Sequence, residues 1–202
     1  MADYKTLTIF DWDDTLFPTS WIVKNNINLN DKNMQNQYIV FFSRLDTLLY
    51  NLLNRLLKYS QIVIVTNAVI KWVIVSSNML PNTQKILKDK ILILSARDIF
   101  QDKYPNEMHM WKKKVFEKVV NDFFTNTMKQ NIISVGDAEY EFNATTDLYN
   151  EHSVIKYRLL KTVRLMKDPS FEELIDQLDV LNNCIQKIVL SRQHFDLKFE
   201  GK

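Results

Sequence analysis

The chain predicts an α/β fold built on a doubly wound, mainly parallel sheet, and three observations point there. Short apolar runs at 7–10, 61–66, 91–95 and 131–135 are rich in Ile, Val and Leu, as strands buried on both faces of a sheet must be. Between them lie longer segments whose apolar residues recur at helical spacing. The runs also end alike, each leading directly into acidic or hydroxyl residues, so a parallel sheet would gather those polar ends on one rim.

Taken in order, the first strand runs through Leu7, Ile9 and Phe10 into Asp11, Asp13, Asp14 and Thr15. Pro18 disfavours helix at Phe17, so the chain turns away there, and the polar stretch 25–36 is expected to be loop. At 44–59, Leu45, Leu48, Leu49, Leu52, Leu53, Leu56 and Leu57 form a wide apolar stripe for a helix lying on the sheet. The second strand, 61–66, ends in Thr66 and Asn67. A helix follows over 69–80 and is stopped by Pro81. The third strand, 91–95, leads into Ala96, Arg97 and Asp98. The segment 105–110 is a loop, and 111–124 is a helix opened by Lys112, Lys113 and Lys114.

Three lysines at a helix amino end oppose its dipole, which argues for a local anionic partner for at least one of them. The fourth strand, 131–137, ends in Gly136 and Asp137, with Glu141 four residues on. Two short strands are expected at 154–160 and 162–166. Ser170 and Glu173 make a capping box ahead of a long amphipathic helix, and 195–199 alternates as an edge strand or a partner-binding tail.

Composition narrows the function classes. A chain of 202 residues, 46% hydrophobic, is long enough to bury one substantial core, so 1–202 is read as a single domain, with the motifs inside 7–145 and 153–202 completing the sheet. Gly136 and Gly201 are the only glycines, which excludes both a Walker A loop and a Gly-x-Gly-x-x-Gly dinucleotide turn. Phosphate would therefore be held by side chains and metal. A single cysteine, Cys184, excludes an internal disulfide and a cysteine zinc cluster, and His109, His152 and His194 show no ligand spacing. A net charge of +2 without a dense Lys/Arg block permits nucleic acid without demanding it. The first strand starts within a few residues of Met1 and no membrane-length apolar run occurs. A soluble intracellular protein, cytoplasmic or nuclear, is expected.

Three carboxylates within four residues repel one another unless a cation lies between them, and a hard ion such as Mg²⁺ would serve. The same residues would also make an acidic turn with no chemistry. Asp11-x-Asp13-x-Thr15 resembles motif I of the haloacid dehalogenase (HAD) superfamily, in its aspartate-nucleophile phosphatase branch. The likeness continues in the family's order: a strand ending in Thr66, a helix-start lysine at Lys112 with Lys113 as the other choice, and Gly136-Asp137-x-x-x-Glu141. The family usually has Asp where Glu141 stands. The extra methylene suits a contact to a metal-bound water better than direct ligation.

The resemblance implies a HAD-like fold. The gap between Thr15 and Arg44 has no room for a large cap domain. It also implies an Mg²⁺-dependent phosphomonoesterase in which Asp11 attacks phosphorus and Asp13 is general acid and then base. Thr66 and Lys112 would stabilise the phosphoryl oxygens, with Asn67 and Arg97 as candidate substrate contacts. The metal set it implies is Asp11, Asp13 through its main-chain carbonyl, Asp137 and Glu141. Thr66 as a helix cap, Arg97 in a surface ion pair and Asp137 as a capping residue are the plainer readings of the same residues.

Capless members of the family commonly act on macromolecules, so the resemblance implies a phosphorylated macromolecule, either a phosphoprotein or a nucleic-acid end; a small phosphate ester is accommodated if the flap after Thr15 and the 97–111 loop close over the site. Two other classes stay open: a HAD-fold module that binds metal or a partner without turnover, and a receiver-like phosphotransfer domain. The latter would need its phosphorylated Asp after the third strand, where Ser95 stands.

Overall fold

The computed structural model describes residues 4–125, 129–151 and 157–200. Its strands are β1 (Lys5–Phe10), β2 (Gln61–Thr66), β3 (Leu92–Ser95), β4 (Lys129–Gly136), β5 (Tyr157–Arg164) and β6 (Phe195–Lys198). They form one all-parallel sheet in the order β3-β2-β1-β4-β5-β6. This is a doubly wound, Rossmann-like arrangement whose strand order reverses between β1 and β4. Ligands bind at the carboxyl side of such a switch point.

The helices are α1 (Thr19–Lys24), α2 (Lys32–Gln37), α3 (Ile39–Leu56), α4 (Ile70–Ser77), α5 (Pro81–Lys90), α6 (Ala96–Phe100), α7 (Met108–Phe123), α8 (Glu139–Glu151) and α9 (Phe171–Leu190). One face of the sheet, through Phe10, Ile64, Ile133 and Val163, packs against α3, α4, α5 and α9. The other, through Leu7, Ile9, Val63, Val65 and Ile132, packs against α6, α7 and α8. Both faces of the central strands are thus covered, which is why those strands read as unbroken apolar runs. The register levels Phe10 with Ile64 and with Val135, and the Asp11 amide continues the ladder to the Val135 carbonyl at 2.9 Å. The first residues beyond β1, β2 and β4 therefore emerge side by side.

Several local expectations are corrected. The stretch 25–36 is not all loop: α2 begins at Lys32, and Asp31 caps it by accepting from the Asn33 amide at 2.8 Å. Helix α3 starts at Ile39 rather than Arg44, and α7 starts at Met108, so His109 is helical. Pro81 opens α5 as well as closing the segment before it, because its missing N–H costs nothing in a first helical turn. Helix α6, not anticipated, begins where Ser95 caps Asp98 at 2.9 Å.

The two strands expected at 154–160 and 162–166 are one continuous β5; residues 153–156, and His152, lie outside the described residues. Lys161 marked the break in the pattern, yet it is fully buried in mid-strand. Its ammonium donates to the carbonyls of Ile188, Val189 and Ser191 at 2.6, 3.1 and 2.8 Å, closing the carboxyl end of α9. The capping box of α9 is formed as read, and 195–199 supplies the edge strand β6. Among the described residues no helix is long and apolar enough to cross a membrane.

Candidate active site

After β1 the chain makes a tight loop, with the Leu16 and Phe17 amides both returning to the Trp12 carbonyl at 2.9 Å and the Asp14 amide to the Phe17 carbonyl at 2.8 Å. Trp12 and Phe17 stack in parallel beneath it and are fully buried, so an apolar foundation fixes the acids above. Asp14 takes a left-handed backbone, φ 52°, and its carboxylate accepts the amide of Ser20 at 2.8 Å and the Ser20 hydroxyl. The residue without an assigned task in the sequence thus ties the loop to α1.

Asp11 is buried, and Lys112 Nζ lies 2.8 Å from its Oδ1. That oxygen is close enough for charge pairing but receives no hydrogen bond of good geometry. Lys112 reaches in from the second turn of α7 and also pairs with Glu141 of α8, all three side chains being almost wholly enclosed. Burial pushes the Asp11 carboxyl well above the usual range, Lys112 pulls it down, and the charges of Glu141, Asp13 and Asp137 push it up again. For Lys112 burial works against the charge, but Asp11 and Glu141 outweigh it and raise the ammonium above its ordinary value. Burial, with Glu141 and Asp14 nearby, raises Asp137 to about 7. The cluster holds more acid than one lysine can neutralise.

Asp13 is held by three donors. Oδ1 accepts from Thr19 Oγ1 at 2.6 Å and Trp72 Nε1 at 2.7 Å, and Oδ2 from Thr66 Oγ1 at 2.9 Å. Thr66 also accepts the Ala68 amide at 2.9 Å, so its turn-capping and site roles coexist. Thr15 donates to Asp137 at 3.4 Å across the β1–β4 boundary. Gly136 is needed for packing rather than for its backbone angle: a Cβ there would lie 2.6 Å from Glu141 Cδ, so only a bare Cα lets that carboxylate fold back over β4 toward Lys112.

Asp11, Asp13, Thr66, Lys112, Asp137 and Glu141 are therefore brought together. Glu141 is engaged by Lys112 and by the Ala138 amide at 3.1 Å. Asn67 borders the group, its Nδ2 3.4 Å from the Met108 carbonyl and its Oδ1 buried without a partner. Arg97 is not brought in: its exposed side chain bonds Gln101, the C-cap of its own helix, at 2.5 Å. Of the other two lysines, Lys113 pairs with Asp147 at 3.1 Å and Lys114 with Glu117 at 2.8 Å. The sequence covers Thr19 only within the flap after Thr15 and Trp72 only within the 69–80 helix, and neither reads as a partner of Asp13. No local signal marks them, since each contact spans separate elements.

Among the described residues no group of three or more Asp, Glu, His or Cys side chains is arranged to hold a metal ion by itself. Mg²⁺ seldom needs such a cage, because one or two carboxylates suffice when water and phosphate complete the shell. Asp11, with a buried oxygen lacking a hydrogen bond, and Asp137, with a carboxyl short of positive charge, fit that donor set. No family model, curated protein or solved structure matches this chain.

Proposed function

We propose that the chain is an Mg²⁺-dependent phosphatase of the HAD type, hydrolysing a phosphate monoester through an aspartyl phosphate on Asp11. The observation that carries this reading is the meeting of Asp11, Lys112, Asp13, Thr66 and Asp137 at the carboxyl rim, where β1 and β4 part. Asp11 attacks phosphorus as the ester P–O bond breaks, and Asp13 delivers a proton to the departing oxygen. Water then attacks the acyl phosphate, Asp13 takes its proton, and inorganic phosphate leaves with Asp11 regenerated.

Lys112, held by Glu141, and the Thr66 hydroxyl face the charge that spreads over the phosphoryl oxygens. Mg²⁺ would be held by Asp11, Asp137 and the Asp13 carbonyl, and when bound it supplies the positive charge that lets an anionic nucleophile meet an anionic ester. The substrate is a phosphorylated macromolecule in preference to a metabolite, because no large domain stands between Thr15 and α3 to enclose a small one.

A second reading, a HAD-fold binding module without turnover, draws on one observation. Both oxygens of Asp13 are occupied by internal donors, and Lys112 spans Asp11 and Glu141. Hydrolysis of an aryl phosphate by wild type and Asp11→Asn, with Mg²⁺ and with chelator, separates the two. Metal-dependent turnover that vanishes in the variant supports the phosphatase. Turnover unchanged in Asp11→Asn removes the mechanism, and absence of turnover on aryl and peptide phosphates alike leaves the binding module.

A further inference from the structure

We infer that the substrate is a phosphopeptide lying extended across the rim, with an apolar residue on one side of the phosphorylated residue and an acidic residue on the other. This rests on the phosphatase reading above. Two cavities flank the acids. One, of about 600 Å³, is walled by Trp21, Val23 and Pro169, with Asp168 and Glu173 against the single cation Lys24. The other, of about 720 Å³, opens beside Asp137 and carries Arg164, Lys167 and Lys198 together with the acids Glu139 and Glu200.

Both adjoin the catalytic loop. Thr19, in the first cavity, donates to Asp13, and Ser20, beside it, donates to Asp14 and, at 3.2 Å, to Asp168. The consecutive residues Lys167 and Asp168 divide the two, one lining each cavity. Val23 is 68% exposed although apolar, and Trp21 in the same wall packs with exposed Phe41, which also meets Phe171. An accessible apolar wall beside a phosphoryl site fits a side chain next to a phosphoserine or phosphothreonine.

Charge chooses the class of macromolecule. A nucleic-acid strand presents the same negative charge on both sides of its terminal phosphate and needs a continuous basic track. Here one flank carries Asp168 and Glu173 and would repel it. A peptide can change character from one residue to the next. On the opposite flank Arg164 is paired with Asp196 and lies 3.8 Å from Glu139, and Lys198 lies 4.0 Å from Glu200, so these cations already face acids. Exposed Lys167 has no ion-pair partner among the described residues and is placed to meet a substrate carboxylate.

The test compares kcat/KM for p-nitrophenyl phosphate, a 5′-phosphorylated oligonucleotide, and phosphoserine peptides carrying leucine on one side and glutamate on the other, in both orientations, beside peptides with lysine replacing glutamate and serine replacing leucine. One orientation of the leucine/glutamate peptide should exceed the doubly replaced peptide by at least about tenfold, the scale of one apolar contact in a pocket. Lys167→Glu should reverse the glutamate-over-lysine preference, and Val23→Glu should lower the leucine-over-serine ratio. Turnover of aryl phosphate with equal kcat/KM across the peptides, or faster turnover of the oligonucleotide, overturns the peptide groove and leaves the phosphatase. No turnover of any of these substrates with Mg²⁺ overturns both.

Discussion

A Cβ at Gly136 would come within 2.6 Å of Glu141 Cδ, so the only glycine inside the described chain is fixed by the carboxylate it lies beneath. Glu141 in turn holds Lys112 against Asp11. Gly136→Ala should therefore act at a distance, displacing Glu141 and loosening Lys112. The expected cost is about 1–3 kcal/mol of stability together with a fall in kcat. The check is a cycle with Glu141→Ala: once that side chain is gone, Gly136→Ala should cost little. Equal cost in both backgrounds would place the strain elsewhere.

Lys112 is the only cation paired with Asp11 and Glu141 among the described residues. Lys112→Met keeps most of the buried volume and leaves two enclosed carboxylates facing each other. Breaking a buried pair in this way costs on the order of 3–5 kcal/mol, measured by urea unfolding. Lys113→Met removes a partly exposed pair with Asp147 and should change stability by under about 1 kcal/mol. A similar loss in both variants would reject Lys112 as the central cation.

Much of this was legible before any coordinates. Strands β1, β2 and β4 sit between two helical layers, so their sequences show the unbroken apolar runs that burial on both faces requires. Three lysines read as opening this helix implied an anionic partner, and each of the three has one, although α7 begins at Met108 and sets them in its second turn, where the dipole is weaker and the facing carboxylates are what hold them. What escaped were relations between elements. Trp72 and Asp13 are 59 positions apart, and nothing near either announces the bond. The continuity of β5 through Lys161 depends on three carbonyls at the end of α9 that no strand pattern contains. Helices α2 and α5 are short and polar enough to resemble loop.

Trp72 gives Asp13 a hydrogen bond while its ring meets Phe17 edge-on at 6.0 Å. Trp72→Phe keeps an aromatic ring there but removes the donor and trims the rest of the indole. Stability should fall by about 1–3 kcal/mol, one hydrogen bond plus the packing of the lost ring. If Asp13 is the proton donor, kcat for an ester with a poor leaving group should fall at least about tenfold, with p-nitrophenyl phosphate, which needs little protonation, affected less. Equal effects on both leaving groups would mean that Trp72 only packs.

The site also predicts how stability should respond to pH without divalent metal. The folded carboxyls of Asp11 and Asp137 are raised, Asp137 from 3.8 to about 7 through burial and its acidic neighbours. Between those values the folded chain keeps a proton that the unfolded chain has lost, so the folded state binds more protons and stability declines as pH rises from about 4 to 7. At pH 7.5 the site therefore carries a repulsion that Asp137→Asn should relieve, raising the thermal midpoint of the metal-free protein and flattening its pH dependence. Mg²⁺ should stabilise the wild type by about 2.7 kcal/mol at a hundred times its dissociation constant. It should do much less for Asp137→Asn, which keeps an oxygen but loses the charge. Thermal scans of both proteins at pH 5 and 7.5, with Mg²⁺ and with chelator, provide the comparison. A wild type whose metal-free stability rises across this window, or an Asp137→Asn protein stabilised by Mg²⁺ as fully as wild type, would remove Asp137 from the charge balance on which the proposed metal site depends.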